Sequence, residues 1–414
     1  MNYLNFAVRN IKRHKKRTII TVFIICLGFT ALGVIGGMLN NIFSRIKEQA
    51  VITEKLGHIT IAKEGFFENG KIAPEDYLWN QKELDGILGI IRSDENVIMA
   101  TPRLSLFGIA SNGKSSTIFI TEGIVPEDDK LLTKTNIDGR TERDFMIDVD
   151  IEEKSEVAIG SELSENLKIG EGDYLTLLTS TKDGIANAVD VDIAKVYNTG
   201  NPGTNDKFLL SNFYMMQNLY DTDGAQRIVV TIKDSDDIDR IESILTDKLY
   251  VAGYAVESKQ WSELSQSYTK VKSMFGVIFR VLTVIITVIV LLTLLNTMRM
   301  AVNERAKEIG TIRAIGVLKK NVIKIFCAEG ILMGLLGCVL AIPILFGVQF
   351  LLKVLNITFI PPVASTEVPI NLILKPFYII PVFILFTVAS FLSSFFASRK
   401  IARQKVVTSL SQSN

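Results

Sequence analysis

The chain has 414 residues, 48% of them hydrophobic and 21% charged, with a formal net charge of +1. That balance supplies no basic excess for a nucleic acid, so no nucleic-acid partner is expected. With only two histidines, His14 and His58, no histidine triad or multi-histidine metal centre can be assembled, and the three cysteines, Cys26, Cys327 and Cys338, all lie in or beside apolar runs and provide no disulfide framework.

Residues 1–17 set Tyr3, Phe6, Ala7, Asn10, Ile11 and His14 at helical spacing beside Arg9, Lys12 and Arg13, which predicts a short amphipathic helix in the inner headgroup layer. Residues 18–41 form the first of four apolar runs that reach the bilayer-spanning length of about 20 residues. This run is too long for a signal peptide and lacks the small-residue cleavage site. The other three are 275–297, 325–352 around Pro343, and 376–397. Lys and Arg gather on the cytoplasmic flanks of such helices. Arg9, Lys12, Arg13, Lys15, Lys16 and Arg17 precede the first run without an acid, and seven basic residues stand against Glu304 and Glu308 between Arg299 and Lys324. Arg399, Lys400, Arg403 and Lys405 begin the 398–414 tail. Both termini and the 298–324 loop are therefore expected in the cytoplasm, with 353–375 as an external link that contains Ile360-Pro361-Pro362-Val363.

Ile42 to Ser273 is left outside, with 25 basic and 40 acidic residues, a net −15 that the overall +1 conceals. Its ends, 42–56 and 258–274, carry apolar stripes: Leu39, Phe43, Ile46 and Ala50 on one, and Trp261, Leu264, Tyr268, Val271 and Phe275 on the other. The stripes predict paired helical stalks, the second running unbroken into the bilayer; the alternative is that each packs on the domain it borders. If the stalks pair, a tilt within the membrane moves the external domain as a lever. Residues 57–257 alternate strand-like runs (59–62, 116–123, 157–159, 174–180, 189–196, 227–232) with helical ones (81–93, 162–168, 212–219, 236–252). The fold class is an α-helical membrane protein with four transmembrane helices and a large α+β extracytoplasmic domain inserted between helices 1 and 2 on helical stalks.

Within this domain Gly108 to Ser115, GIASNGKS, satisfies the phosphate-loop pattern GxxxxGK[ST]. Strand-like text flanks it on both sides, and Asn112-Gly113 is a hairpin turn signal, so a β-hairpin is expected in place of a nucleotide site. The acidic run Asp234 to Asp239 lacks the glycine and closing glutamate of a twelve-residue calcium loop, and reads as a capped helix start. In the spans, Gly33 and Gly37, and Gly330, Gly334 and Cys338, recur every four residues, a spacing that lets helix backbones approach.

The loop Asn303 to Gly316, NERAKEIGTIRAIG, is too polar to span and too short for a domain; it predicts a short surface helix that presents Glu304, Arg305, Lys307, Glu308 and Arg313 and stops at Gly316. Together with AEGILMGLLG from Ala328, this run resembles the signature of FtsX-like permeases, the ABC-transporter family of MacB and of the lipoprotein-releasing LolC and LolE, the last two being closest in layout. FAVRNIKRHKKRTIITVF from Phe6, GHITIAKEGF from Gly57 and VAIGSELSENLKIGEGDYLTLL from Val157 are similar to other parts of that family, whereas Val406 to Leu410 lacks the proline often found at its end.

The resemblance implies a transport subunit of the cytoplasmic (inner) membrane that carries no cofactor itself. ATP and Mg²⁺ are bound by a separate ATPase dimer, since no cytoplasmic segment here is long enough for a fused one. It implies that Glu304, Arg305, Lys307, Glu308, Ile309, Arg313 and Gly316 couple to that ATPase, and that a second permease copy or paralogue completes the assembly in membrane lipid. The function it implies first is mechanical release of lipoprotein cargo from the outer leaflet, with lipid tails against Leu32, Ile35, Leu39, Phe275 and Ile278. Adaptor-dependent export of peptides or antibiotics, or regulation of an external cell-wall hydrolase, are the alternatives.

Overall fold

A computed structural model describes residues 3–70, 72–134, 155–199, 203–359 and 368–402. Expectations for Ile360 to Val363, Arg403, Lys405 and Val406 to Leu410 lie outside the described residues. In chain order the helices are α1 (Tyr3–Arg13), α2 (Lys15–Glu48), α3 (Phe66–Asn69), α4 (Gln81–Arg92), α5 (Pro126–Lys134), α6 (Ser161–Leu167), α7 (Phe213–Tyr220), α8 (Ile238–Val251), α9 (Trp261–Leu264), α10 (Gln266–Glu304), α11 (Ala306–Ala314), α12 (Lys319–Leu355) and α13 (Pro376–Ala402). The main strands are β1 (Ile59–Lys63), β2 (Val97–Ser111), β3 (Ser116–Ile124), β4 (Glu156–Gly160), β5 (Tyr174–Ser180), β6 (Ala186–Tyr197), β7 (Phe208–Asn212), β8 (Arg227–Ile232) and β9 (Val256–Gln260). The chain divides into a helical unit (Met1–Phe43, Lys272–Phe359, Pro369–Asn414) and an α/β unit (Ser44–Val271, Ile360–Val368).

In the helical unit, α2, α10, α12 and α13 belong to the four helices among the described residues that are long and apolar enough to cross a membrane. Helices suit such sequences because every backbone polar group is satisfied within the segment. Their shared core joins Ile25, Phe29 and Leu32 of α2, Val290 and Leu294 of α10, Cys338 and Ala341 of α12, and Val382 and Phe386 of α13. Phe29 makes T-shaped contacts with Phe383 and Phe386, each with centroids 6.4 Å away. The four-residue glycine spacing in α12 is the seam with α13: a Cβ on Gly330 would stand 2.0 Å from Ser394 Oγ, and one on Gly334 3.0 Å from Ser390 Oγ. The chain before α13 is tied down in extended form. Ile373 N–H donates to the Gly37 carbonyl at 3.1 Å, Asn40 Nδ2 donates to the Ile373 carbonyl at 3.0 Å, and Gln349 Nε2 to the Leu372 carbonyl at 2.8 Å.

The α/β unit has two lobes that share one strand. The first half of β2 pairs with β8, β8 with β1 and β1 with β9, all antiparallel. With α4 between β1 and β2 and α8 between β8 and β9, this is the split βαβ arrangement of a ferredoxin-like fold, opened between its second and third strands by an insertion. The insertion is the second lobe. There the other half of β2 pairs with β3, and the ladder continues through β7, β4, β6 and β5 back to β2, a closed ring of six strands that leaves no free edge. Leu84, Ile87 and Ile91 on one face of α4 and Ile241, Leu245 and Leu249 on one face of α8 are buried with Ile59, Ile61, Ile228 and Val230 of the first sheet. Leu104, Leu106, Phe119, Leu175, Leu177 and Val191 extend the same core into the ring.

Strands at 174–180 and 227–232 occupy the residues expected of them, whereas β7 and β9 were not anticipated. In β9, Val256-Glu257-Ser258-Lys259-Gln260, every residue is half-buried, so there is no alternation to read. The stalk expectation needs correction. The helix entering the second span is not unbroken: α9 ends at Leu264, and Ser265 is extended (φ −76°, ψ 98°) before α10 begins. Trp261, with the Tyr268 ring tilted against it at a centroid distance of 4.6 Å, belongs to the core of the α/β unit, as do Ala50, Val51 and Ile52. Those parts of the stripes therefore pack on the domain.

GIASNGKS is a hairpin, Ser111 pairing with Ser116 and Gly113 adopting φ +79°. Asn112 Oδ1 accepts from the backbone N–H of Lys114 at 2.9 Å and of Ser115 at 2.7 Å, closing the turn where a phosphate loop would need a helix. In the acidic run, Asp234 accepts from the N–H of Asp236 at 2.9 Å and caps a single turn ahead of α8.

Candidate functional site

Helix α11 is short because Arg305 interrupts the helix that precedes it (φ −101°, ψ 13°) and Gly316 ends it at φ +103°, a conformation that glycine adopts without a Cβ penalty. One face is apolar: Ile309 is buried with Val302, Val322 and Phe326. The other face exposes Lys307, Glu308 and Thr311, and the turn beyond exposes Ile315 (80%) and Leu318 (69%).

The seven residues assigned to ATPase coupling thus separate. Glu304, Lys307, Glu308 and Gly316 are exposed and Arg313 is half-buried, but Arg305 and Ile309 are buried and present nothing to a partner. The expectation that Arg305 is displayed is corrected for a reason that lies twenty-four residues on, at Glu329. Glu329 is 1% exposed inside α12. It accepts from Arg17 Nη2 at 3.1 Å, Arg305 Nη1 at 3.4 Å and Asn10 Nδ2 at 3.4 Å. Arg17 also reaches Glu304 at 3.6 Å, and Arg13 reaches Glu308 at 3.3 Å. A carboxylate buried in an apolar helix costs several kcal/mol, which two guanidinium groups offset while fixing where α1, α2 and α11 meet α12. The exposed Arg13–Glu308 pair adds little by comparison. At His14, burial and then the positive field of Arg305, Arg17 and Arg13 push the imidazole pKa down, against a smaller upward pull from Glu304.

A second feature is an apolar cavity of 390 Å³ among α2, α10 and α13. Phe29, Leu32, Gly33 and Gly36 form one wall, Phe279 and Thr283 another, and Phe377, Tyr378 and Val382 a third. Of the five residues expected to meet lipid tails, Leu32 lines this cavity. Ile35, Leu39 and Phe275 are half-buried elsewhere, and Ile278 is exposed. The lining on α10 sits one position beyond Ile278, at Phe279, and the α13 wall was missed because sequence spacing does not say which helices adjoin. Gly36 was the available signal: a Cβ there would meet only Phe279, at 3.7 Å, whereas those of Gly33 and Gly37 would press on Leu345 and Leu374.

Residues 280–406 match the FtsX-like permease C-terminal family and residues 18–248 match the MacB-like periplasmic core domain, which by itself covers more than half of the chain. The ABC transporter permease YtrF of Bacillus subtilis is 34% identical over 121 residues, 28% of this chain and 26% of that protein. The macrolide export ATP-binding/permease protein MacB of Acinetobacter baylyi is 22% identical across 98% of this chain and 59% of its own length. An uncharacterized ABC transporter permease of Methanocaldococcus jannaschii is 23% identical over 81% of this chain and 80% of that one. The chain therefore spans about a quarter and about three fifths of the first two relatives. Among solved structures, the periplasmic region of MacB from Actinobacillus actinomycetemcomitans aligns with 51% of this chain and 92% of its own (TM-score 0.35, 14% identity), and the extracellular domain of the YknZ transporter with 49% and 100% (TM-score 0.32, 14% identity).

Proposed function

The chain belongs to the MacB/FtsX-type family of ABC transporter permeases, and from that premise we propose that it works as a mechanical transmission between a cytoplasmic ATPase dimer and cargo outside the membrane. The single observation that carries this reading is the two-faced loop: Ile315 and Leu318 protrude while Arg305 and Ile309 anchor the same segment inward. An exposed apolar pair flanked by Lys307, Glu308, Lys319 and Lys320 suits a partner with an apolar notch and a polar rim. A push on α11 is then delivered through Glu329 to α12 and through Arg17 to α2. In this reading α11 and both termini face the cytoplasm and the α/β unit lies outside, the orientation that the basic flanks favour.

For cargo we propose release of lipid-modified proteins from the outer leaflet by this permease paired with a second copy or paralogue. The 390 Å³ cavity supports it: its lining is almost wholly apolar, and it lies towards the ends of α2, α10 and α13 that this orientation makes external. A volume of that size accommodates an acyl chain, for which each buried CH₂ contributes about 0.8 kcal/mol. Adaptor-dependent export of peptides or antibiotics is the second reading, favoured by the match of 98% of this chain to a macrolide export protein.

The test is gentle extraction with native partners followed by mass spectrometry of every protein and acyl chain recovered. An ATPase with acylated lipoproteins supports release. An ATPase with an adaptor and no lipoprotein moves the function to export, and one with a cell-wall hydrolase moves it to regulation. Absence of any ATPase removes the transmission reading.

A further inference from the structure

A groove of 700 Å³ opens beside the Glu329 network, between the α1–α2 junction and the last turns of α10. Its rim is cationic: Arg13, Lys15, Lys16 and Arg17 against one carboxylate, Glu304. Arg13 and Arg17 are already paired with Glu308, Glu304 and Glu329. Among the described residues no carboxylate comes within ion-pair distance of Lys15 or Lys16, and both are exposed. Asn296 and Thr297 bring hydrogen-bonding groups to the opposite wall, and Ile20 and Met300, 56% and 64% exposed, form an apolar end. From that end an exposed apolar surface continues along α2 through Ile19, Phe23 and Leu27, and along α10 through Leu292 and Ile289.

We propose that this groove holds the phosphate of an anionic phospholipid, with Lys15 and Lys16 as its cations and the upper acyl methylenes against Ile20 and Met300. Three features converge on that occupant. Two cations with no acid among the described residues within ion-pair distance select an anion. The groove lies where a candidate span begins, at headgroup depth. Its apolar end leads onto helix surface of the kind that meets acyl chains, which a free phosphate would leave unused. Basic pockets between helices at a membrane face are suited to such headgroups, each Lys near an anionic surface contributing about a fivefold preference. A bound lipid there bridges α2 and α10 next to Arg17, and so adjusts how firmly the Glu329 network is held. The inference needs only that α2 and α10 are membrane-embedded; it stands or falls apart from the identity of the ATPase or cargo.

The full chain is placed in nanodiscs containing equal amounts of phosphatidylglycerol and phosphatidylcholine, released, and weighed with its retained lipids by native mass spectrometry. Phosphatidylglycerol is expected to be retained preferentially, and K15Q with K16Q together should lower that preference roughly thirtyfold, while K15R with K16R restores it. Adding millimolar inorganic phosphate should leave retention unchanged. Equal retention of the two lipids, an unaffected K15Q/K16Q protein, or displacement by inorganic phosphate would each overturn the proposal. Chain dimers that carry no lipid would overturn it too, assigning the groove to a second copy.

Discussion

Arg305 Nη1 lies 3.4 Å from Glu329 Oε2, and both side chains are buried, so the residue that opens α11 is fastened to the interior of α12. The pair makes a surface helix and a membrane-spanning helix move together, because separating them would leave two charges unpaired in an apolar setting.

Replacing Glu329 with Gln keeps the side-chain volume and removes the charge that Arg17 and Arg305 share. The loss is expected to be about 3–5 kcal/mol, the cost of breaking a buried pair. Unfolding of the purified chain in a denaturing-detergent titration reads it directly. A midpoint equal to that of the wild type would mean the carboxylate is not structural.

Ile315→Asp with Leu318→Asp should leave that midpoint within about 0.5 kcal/mol, since both side chains are exposed, yet abolish recovery of the ATPase in pull-downs. Arg305→Gln should do the reverse, weakening the fold while the docking surface survives. Identical behaviour of the two variants would contradict the two-faced reading of the loop.

Gly330→Ala places a Cβ 2.0 Å from Ser394 Oγ and 2.8 Å from the Ser390 carbonyl oxygen, so α12 and α13 must separate. Overpacking of this kind costs about 1–3 kcal/mol. Gly347→Ala on the same helix meets nothing within 4 Å and serves as the control. Expression and unfolding midpoint should fall for the first and hold for the second.

Lys114, the lysine of the phosphate-loop pattern, is exposed in a hairpin turn, so Lys114→Ala should leave ATP turnover of the assembled complex unchanged. Asn112→Ala, which removes acceptors from two backbone N–H groups and a donor to the Leu167 carbonyl at 2.6 Å, should destabilise the α/β unit by about 1–2 kcal/mol.

Asp94 accepts from Lys248 Nζ at 2.8 Å and from the backbone N–H of Asn96, and these bonds bring its carboxyl pKa down to about 2. A carboxylate whose pKa is lower folded than unfolded stabilises the fold above the unfolded value, near 4, and loses that contribution as pH falls towards 2. Asp94→Asn should thus be less stable by about 1–2 kcal/mol at neutral pH, with the gap closing between pH 4 and 2. Trp79 and Trp261, the chain's two tryptophans, both lie in the α/β unit, so tryptophan fluorescence, excited selectively over tyrosine, follows this unit alone.

The four apolar helices and the strands of clear alternation could be read from sequence because burial in lipid or on one face of a sheet leaves a periodic trace. The shared strand β2 could not, since pairing with β8, β3 and β5 depends on partners far along the chain. Arg305 illustrates the same limit: its type suggests a surface, and only Glu329, from another helix, makes burial possible. Ile315 carries no such signal: it is an apolar residue whose type points to a core, yet beside the turn at Gly316 it stands exposed.

The most direct test puts a photo-reactive amino acid at Ile315, irradiates native membranes, and identifies the attached protein by mass spectrometry. An ATP-binding ABC subunit joined at this position, in a yield that changes when nucleotide is added, is the predicted result. Adducts to lipid alone, or to no ATPase under any nucleotide condition, would contradict the proposal that this loop receives the ATPase stroke.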